Sequence, residues 1–363
     1  MTALLELRDK LKYIYSKNEA FILPVVKFLL AFITLAVLNG RMGYMTRVDN
    51  IAIVLIAALM CSFLPTVCII LFGALFSLLH MYALSMEIAL VGVIIYMLMF
   101  LLFFRFSPRD SLVVAVTPLL CFLKMPYIMP VAMGLLGTPA SAVSVACGVV
   151  VYYLLQAVTA NASTISTMNA ADATAKLRLV IDALVGNKAM LVTVVAFVIT
   201  VIVVYLIRRM SVDYSWTIAM TAGVILNLVI LLVGDLIYET NISVVGAIFG
   251  NLLALAVAKV IEFFRFCVDY SRTEKVQFED DEYYYYVKAV PKMTVAAPTK
   301  TVKHINTPRR TMPAGTGRSV STERTQRRSS GSGGRYNGSA GSGRSVTIGN
   351  QQDELQDDYE ELF

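Results

Sequence analysis

The sequence predicts an all-α fold: a polytopic transmembrane helical bundle of about nine spans or broken spans, with a disordered C-terminal tail. Hydrophobic residues make up 57% of the 363 residues and charged residues only 15%, whereas a soluble domain is nearer half apolar and one quarter charged. The mean hydropathy is +0.69, and about half of the charges lie in the last hundred residues. The rest of the chain is apolar enough to require a lipid bilayer as its solvent.

Residues 1–20 are predicted to form an amphipathic helix. Apolar residues recur in them at helical spacing, and lysines occupy the other faces. Two placements fit this pattern, a helix packed on the bundle and an interfacial helix on anionic lipid headgroups, and we favour the interfacial one. No cleavable signal peptide is evident, because no small-residue cleavage site follows an early apolar core. The apolar residues of the stripe are Leu4, Leu7, Leu11 and Ile14.

The first membrane region covers residues 21–158. Its apolar runs are separated by short polar links, and each run of about 20 residues predicts one span. The run Ile51–Leu64 is shorter than this and is followed by Pro65. The other uninterrupted spans predicted here are Phe21–Leu38, Thr66–Ser85, Glu87–Phe104 and Ala140–Val158.

Residues 112–136 are predicted to form half-helices rather than one continuous span. Two short apolar runs flank Lys124 and Pro126, and Pro118 and Pro130 lie inside the runs. Proline removes a backbone donor and breaks helices, so we favour a re-entrant hairpin over two short spans. These four residues are the candidates for a pathway or a structural break. An ionisable group inside lipid is often functional, although a turn lysine at the membrane interface would also explain Lys124.

Residues 159–188 predict a polar loop whose second half is an amphipathic helix, because apolar residues recur there at helical spacing. The second membrane region, 189–264, contains three further apolar runs, and each predicts a span. These runs are Ala189–Ile207, Trp216–Val233 and Ile242–Phe264.

Basic residues near the span ends predict the orientation, since Lys and Arg there are retained on the cytoplasmic side. The N-terminal stretch, the loop 105–109, the pair at 208–209 and the segment after the last span are all basic, whereas the loop 234–241 has no base. Both termini in the cytoplasm satisfy these loops, provided that residues 112–136 return to the side from which they enter. The short loops point to a bacterial plasma membrane.

The polar C-terminal part divides into two segments. Residues 265–293 are a juxtamembrane segment rich in β formers, for which a short β-hairpin and an extended linker are both open. Residues 294–363 are predicted to be a disordered cytosolic tail, because Ser, Gly, Thr and Arg cannot bury enough apolar surface to offset the entropy of ordering. The tail is first basic, with eleven Lys or Arg and one acid between Lys292 and Arg344.

The tail suggests two kinds of partner. Its basic part suits anionic lipid headgroups, whereas scattered arginines in a Gly-Ser matrix do not predict nucleic-acid binding. Its last residues, 353–363, contain six acids and no base. Four apolar or aromatic residues among them make a candidate docking peptide for cytosolic proteins, with a plain solubilising end as the alternative. They are Leu355, Tyr359, Leu362 and Phe363.

No catalytic, cofactor-binding or metal site is predicted. The five cysteines lie in or beside apolar runs without a CxxC spacing. Of the two histidines, His80 lies in an apolar run and His304 in the tail, which disfavours a histidine metal site. No GxxxxGKS or GxxxxGKT, HExxH or GxSxG sequence occurs, so the chain shows no nucleotide-hydrolysing domain of its own.

Two functions fit this sequence. A permease or transport component would place the broken region 112–136 near its pathway, and a separate ATPase subunit would supply any ATP-derived energy. A membrane scaffold would instead recruit cytosolic proteins through the tail. We favour transport, because a transport pathway would explain the broken helices. An intramembrane enzyme ranks third, since no paired catalytic residues stand out.

Overall fold

A computed structural model describes residues 2–168, 173–240, 243–266, 268, 273–279 and 282–292. The predicted docking residues Leu355, Tyr359, Leu362 and Phe363, and the rest of 294–363, lie outside the described residues. The helices are α1 (Thr2–Lys17), α2 (Glu19–Met42), α3 (Ile51–Phe63), α4 (Val67–Leu84), α5 (Met86–Phe106), α6 (Ser111–Phe122), α7 (Ile128–Leu136), α8 (Ser141–Thr167), α9 (Ala173–Val185), α10 (Lys188–Arg208), α11 (Ser215–Tyr238) and α12 (Val244–Arg265). The strands are β1 (Glu274–Glu279) and β2 (Tyr284–Ala289).

The predicted all-α transmembrane bundle is confirmed. Among the described residues, seven helices are long and apolar enough to cross a membrane, namely α2, α4, α5, α8, α10, α11 and α12. With the 13-residue α3 and the divided pair α6–α7, they account for the nine predicted spans or broken spans. Large apolar side chains on these helices point outwards, as with Leu101 (69% exposed) and Phe249 (68% exposed). Such a surface belongs in hydrocarbon rather than in water.

Hydrogen bonds show which helix ends in the first membrane region lie at the same face of the bundle. Ser62, near the end of α3, donates to the carbonyl oxygen of Pro24, near the start of α2 (2.8 Å). The hydroxyl oxygens of Thr66, just before α4, and Ser111, at the start of α6, lie 2.7 Å apart. The starts of α2, α4 and α6 therefore share one face with the end of α3.

Two further contacts extend this face to the middle of the chain. The hydroxyl oxygens of Ser107, just after α5, and Ser144, in the first turn of α8, lie 2.5 Å apart. Arg208, at the end of α10, donates through Nη2 to the carbonyl oxygen of Gly137, which follows α7 (2.7 Å). The chain between α5 and α8 thus enters and leaves the bundle at the same face.

The last helices and α1 complete this face. Thr217, in the first turn of α11, donates to Glu262 Oε1, near the end of α12 (2.8 Å). The guanidinium carbon of Arg8 lies 5.9 Å from the ring centre of Phe263. We name this side of the bundle the α1 face and the opposite side, where α9 lies beside the start of α5, the α9 face. The helix α1 and the end of α12 therefore lie at the same face.

At the α9 face, a buried histidine joins three segments of the chain. His80 Nδ1, near the end of α4, accepts the backbone N–H of Met45 (3.1 Å), and His80 Nε2 lies 2.9 Å from Asn39 Oδ1. Asn39 donates through Nδ2 to the carbonyl oxygen of Val48 (2.8 Å). Because Nδ1 accepts a hydrogen bond, the proton is on Nε2 and the ring is neutral. The network ties the α2–α3 connection to α4.

In the second membrane region, small residues let helices approach α10 closely. Val204 of α10 packs against Gly134 of α7 and Gly223 of α11. A Cβ atom added to Gly134 would lie 2.5 Å from Val204 Cβ, which is too close for packed carbon atoms. Close approach of this kind stabilises helix pairs in lipid, where van der Waals packing replaces the hydrophobic effect.

The helix α8 continues to Thr167, beyond the span end predicted at Val158. The polar residues after Val158 do not end the helix, because their side chains bond back to the helix backbone. Asn161, for example, donates to the carbonyl oxygen of Ala157 (2.8 Å). Ile165 is also buried in the core beside α9, so the extra turns have an apolar contact.

Two amphipathic helices and a hairpin surround the bundle. The apolar stripe of α1 (Leu4, Leu7, Leu11 and Ile14) is between 44% and 58% exposed, so the bundle does not cover it. Val180 and Leu184 of α9 are buried in the core that α5 and α8 share. The strands β1 and β2 pair antiparallel, and Lys288 of β2 forms an ion pair with Asp213, between α10 and α11 (2.5 Å).

We expect the variant His80→Ala to lose about 2–4 kcal/mol of stability, because it leaves two polar groups unpaired, the part-buried N–H of Met45 and the buried Oδ1 of Asn39. The midpoint of thermal unfolding in detergent should fall by several degrees. Tyr82→Ala is the matched control, since Tyr82 lies on the same helix and is 59% exposed. Equal midpoints for the two variants would show that the histidine network does not hold the α2–α3 connection.

Candidate functional site

The region with the candidate residues is a re-entrant element made of α6, α7 and the connection 123–127 between them, which we name the tip. The helix α6 has 12 residues and α7 has nine, so at 1.5 Å per residue they are about 18 Å and 14 Å long. Neither reaches across a hydrocarbon layer of about 30 Å. Because both outer ends lie at the α1 face, the tip points through the bundle towards the α9 face, where α2 ends.

The tip begins with a regular helix C-terminus. The N–H of Met125 bonds to the carbonyl oxygen of Leu120 (2.8 Å), and the N–H of Lys124 bonds to that of Cys121 (3.1 Å). This pair of bonds is a Schellman motif, in which the residue at the position of Lys124 adopts a left-handed conformation. Lys124 accordingly has φ of 60°. Glycine is the usual residue there, and a lysine costs about 1 kcal/mol of backbone strain.

The structure places all four sequence-predicted residues in this element. Lys124 and Pro126 lie in the tip, Pro118 is buried inside α6, and Pro130 is buried in the first turn of α7. Pro118 removes the N–H that would bond to the carbonyl oxygen of Val114. Pro130 removes a donor that would have no acceptor within its helix, since the first N–H groups of any helix lack one.

An arginine from another helix binds the end of α6. Arg41, at the end of α2, donates through Nη2 to the carbonyl oxygen of Phe122 (3.4 Å), and its guanidinium carbon lies 5.4 Å from the Phe122 ring centre. Both contacts are favourable, because a helix C-terminus carries partial negative charge and aromatic faces attract cations. Tyr152 of α8 packs edge-on against the same ring, 5.0 Å between centres. Two aromatic rings, those of Phe122 and Tyr152, therefore lie beside the end of α6.

Two cationic residues lie close to Phe122. Arg41 of α2 contacts the Phe122 ring, and Lys124 of the tip follows Phe122 by two residues. Lys124 is exposed, and its ammonium group has no hydrogen-bond or ion-pair partner within the described part of the chain. Arg41 likewise contacts a carbonyl oxygen and a ring there, not a carboxylate. The positive charge at the tip is therefore available to an anionic group.

A narrow apolar crevice runs beside α6. It encloses ≈ 50 Å³ and is bounded by α2, α4, α5, α6 and α8, with Gly73 on its α4 side and Phe122 at its tip end. Pro118 also lines it. A Cβ atom placed on Gly73 would meet no atom within 4 Å, so the crevice is open at that point.

The other half of the element faces a buried polar pair. Asn227 of α11 donates through Nδ2 to Asn251 Oδ1 of α12 (2.9 Å), and Asn251 donates to the carbonyl oxygen of Ala247 (2.9 Å). Asn227 Oδ1 is buried and has no hydrogen-bond partner among the described residues. Tyr127, which precedes α7, packs against the backbone of Gly250, the neighbour of Asn251. The start of α7 and the asparagine pair are therefore adjacent.

Sequence reasoning missed Arg41, Asn251 and the crevice. Arg41 lies in a polar link between two apolar runs, and its contact with Phe122 spans 81 positions in the sequence. Asn251 is a lone amide in an apolar run, as Asn227 is, and that shared feature was the available signal for the pair. Nothing in the apolar runs indicates which of their faces leave the crevice open.

Among the described residues, no group of three or more His, Cys, Asp or Glu side chains could hold a metal ion. Comparison with known proteins gives no match to a family model, to a curated protein or to a solved structure. The class that the fold defines is a polytopic membrane protein with a re-entrant helix pair.

Replacing Lys124 with glycine is expected to stabilise the protein by about 1 kcal/mol, because glycine adopts a left-handed conformation without a Cβ clash. The midpoint of thermal unfolding in detergent should rise by a few degrees. Lys124→Ala is the control, since it also removes the ammonium group but keeps the Cβ atom. If the glycine variant is no more stable than the alanine variant, the tip does not hold this conformation.

Proposed function

We propose that the chain is a permease or the membrane-spanning component of a transport system, with the re-entrant element at its pathway. The observation that carries the proposal is the way this element divides between two groups of helices. The helix α6 packs mainly against α8 and α4, whereas α7 packs mainly against α10 and α12. The tip joins the two groups near the end of α2, where Arg41 contacts Phe122.

Broken helices of this kind suit transport for a physical reason. Many transporters bind their substrate near the membrane midplane, at half-helices that lie between two repeats or bundles, and alternate access by moving one against the other. Non-helical backbone at membrane depth is tolerated only where protein or a cavity surrounds it. Lys124 combines a cationic side chain with a strained backbone conformation at this break. That combination supports a functional role over a purely structural one.

The proposal includes an orientation in which the α1 face is cytosolic. Most of the described basic residues lie at the α1 face, on α1, after α5, at the end of α10 and after α12. Retention of Lys and Arg on the cytoplasmic side would then place α9 and the His80 network outside. Short connections support a bacterial plasma membrane. Because the sequence has no nucleotide-hydrolysing motif, ATP-driven transport would need a separate ATPase subunit.

We expect Lys124→Ala and Pro126→Ala each to impair an uptake or export phenotype of a host whose own copy of the gene has been deleted. Arg178→Ala is the matched control, because Arg178 is an exposed base on α9, away from the tip. All variants must reach the membrane at wild-type levels. Full complementation by both tip variants would contradict the transport proposal.

A membrane scaffold is the second candidate, and the β1–β2 hairpin favours it. All six residues of β2 are exposed, and a two-stranded hairpin is marginally stable by itself. Its outer edges could accept a strand of a partner protein.

If scaffolding is the function, removal of residues 294–363 should abolish the phenotype without preventing membrane insertion. Full complementation by the shortened chain would rule scaffolding out. Affinity purification in mild detergent separates the two candidates as well, since transport predicts an ATPase subunit and scaffolding predicts cytosolic proteins.

A further inference from the structure

We propose that the crevice beside α6 is a slot for one acyl chain of an anionic phospholipid, whose phosphate group binds Arg41 and Lys124 at the tip. This lipid site does not depend on the transport proposal, because it follows from the lining of the crevice and the charges at its end. The lipid is a bound component of the bundle, distinct from the lipids that coat its outer surface.

The shape and the lining of the crevice select the occupant. The crevice follows α6 from Val114 to Phe122, and eight residues of helix correspond to about 12 Å. A space that is long, narrow and almost wholly apolar fits a hydrocarbon chain, which is also the most abundant apolar group around the protein.

The glycine on α4 keeps the crevice open. Close packing requires glycine at Gly148, for example, where a Cβ atom would lie 2.5 Å from Thr117 Cβ. No such contact exists at Gly73, where a Cβ atom would meet nothing within 4 Å. The missing side chain therefore leaves room that the protein itself does not fill, in the crevice that Pro118 and Phe122 also line.

The charges at the tip select the headgroup. Phe122 lines the crevice, Arg41 stacks on its ring, and Lys124 follows two residues later. A guanidinium has five N–H donors, and the described contacts of Arg41 use one nitrogen, Nη2, on the Phe122 carbonyl oxygen. The other donors can bind a phosphate oxygen in charge-assisted hydrogen bonds, with the lysine ammonium as a second cation. Zwitterionic lipids would lack the net charge that two cations favour.

The test uses the full-length protein in nanodiscs of phosphatidylcholine that contain a small amount of phosphatidylglycerol with a photoreactive acyl chain. Adducts are located by mass spectrometry of peptides. We expect adducts on the crevice residues of α4, α5 and α6. Gly73→Leu should reduce them by about tenfold, since its side chain displaces roughly two methylene groups of the lipid. Gly73→Ala should give a smaller loss.

Gly40→Leu is the matched control, because a Cβ atom on Gly40 also meets nothing within 4 Å and Gly40 does not line the crevice. Its adducts should equal those of the wild type. If adducts are spread over the outer helix surfaces, or if Gly73→Leu leaves the crevice adducts unchanged, only surrounding lipid has been captured and the slot is refuted.

The headgroup is tested with the double variant Arg41→Gln and Lys124→Gln. Its phosphatidylglycerol adducts should fall to the level that a photoreactive phosphatidylcholine gives with the wild type, while its phosphatidylcholine adducts stay constant. The control Arg47→Gln and Arg178→Gln removes two exposed bases that do not line the crevice or contact Phe122, and it should leave the adducts of both lipids unchanged. Equal loss in the two double variants would show a general surface charge effect and refute the headgroup site.

Discussion

A lipid bilayer offers no hydrogen bonds to the backbone, so every N–H and C=O group at membrane depth must find its partner inside the protein. Unbroken helices meet this requirement automatically. The tip between α6 and α7 cannot, and its local structure follows from that requirement. Two Schellman bonds satisfy carbonyl groups at the end of α6, and Arg41 binds a third at Phe122.

The prolines serve the same requirement at the start of α7. The first N–H groups of a helix have no acceptor in their own helix, and in hydrocarbon each unpaired donor costs several kcal/mol. Pro126 and Pro130 have no N–H at all, so they reduce the number of donors that need partners. Proline therefore both ends the helical run and lowers the cost of ending it inside the membrane.

The outer ends of the re-entrant element and its tip differ in how their polar groups are paired. Its outer ends are held by hydroxyl and guanidinium contacts at the α1 face, while its tip carries a strained lysine without a partner among the described residues. The crevice lies on the α6 side, and the asparagine pair with an unpaired amide oxygen lies on the α7 side.

The sequence predicts the spans well, because the apolar content needed to cross hydrocarbon is a property of each helix alone. It also places the break at Lys124 and Pro126, since proline acts locally. It does not predict that α8 continues to Thr167, because polar residues near the membrane surface can bond within a helix as well as end it. Nor does it predict the partners of the tip. Arg41 and Tyr152 reach Phe122 only through tertiary packing, and apolar helices have little pattern that specifies which faces meet.

A re-entrant element requires that residues between α5 and α8 enter and leave the membrane at the same face. Single cysteines at Arg109 and Thr138, both exposed, mark the two ends of this segment, and one at Arg178 marks the α9 face. With a membrane-impermeant thiol reagent and the wild-type chain as control for native cysteines, the first two should react only after permeabilisation, and the third in intact cells. Reaction of the Arg109 and Thr138 positions from opposite sides would contradict the re-entrant element.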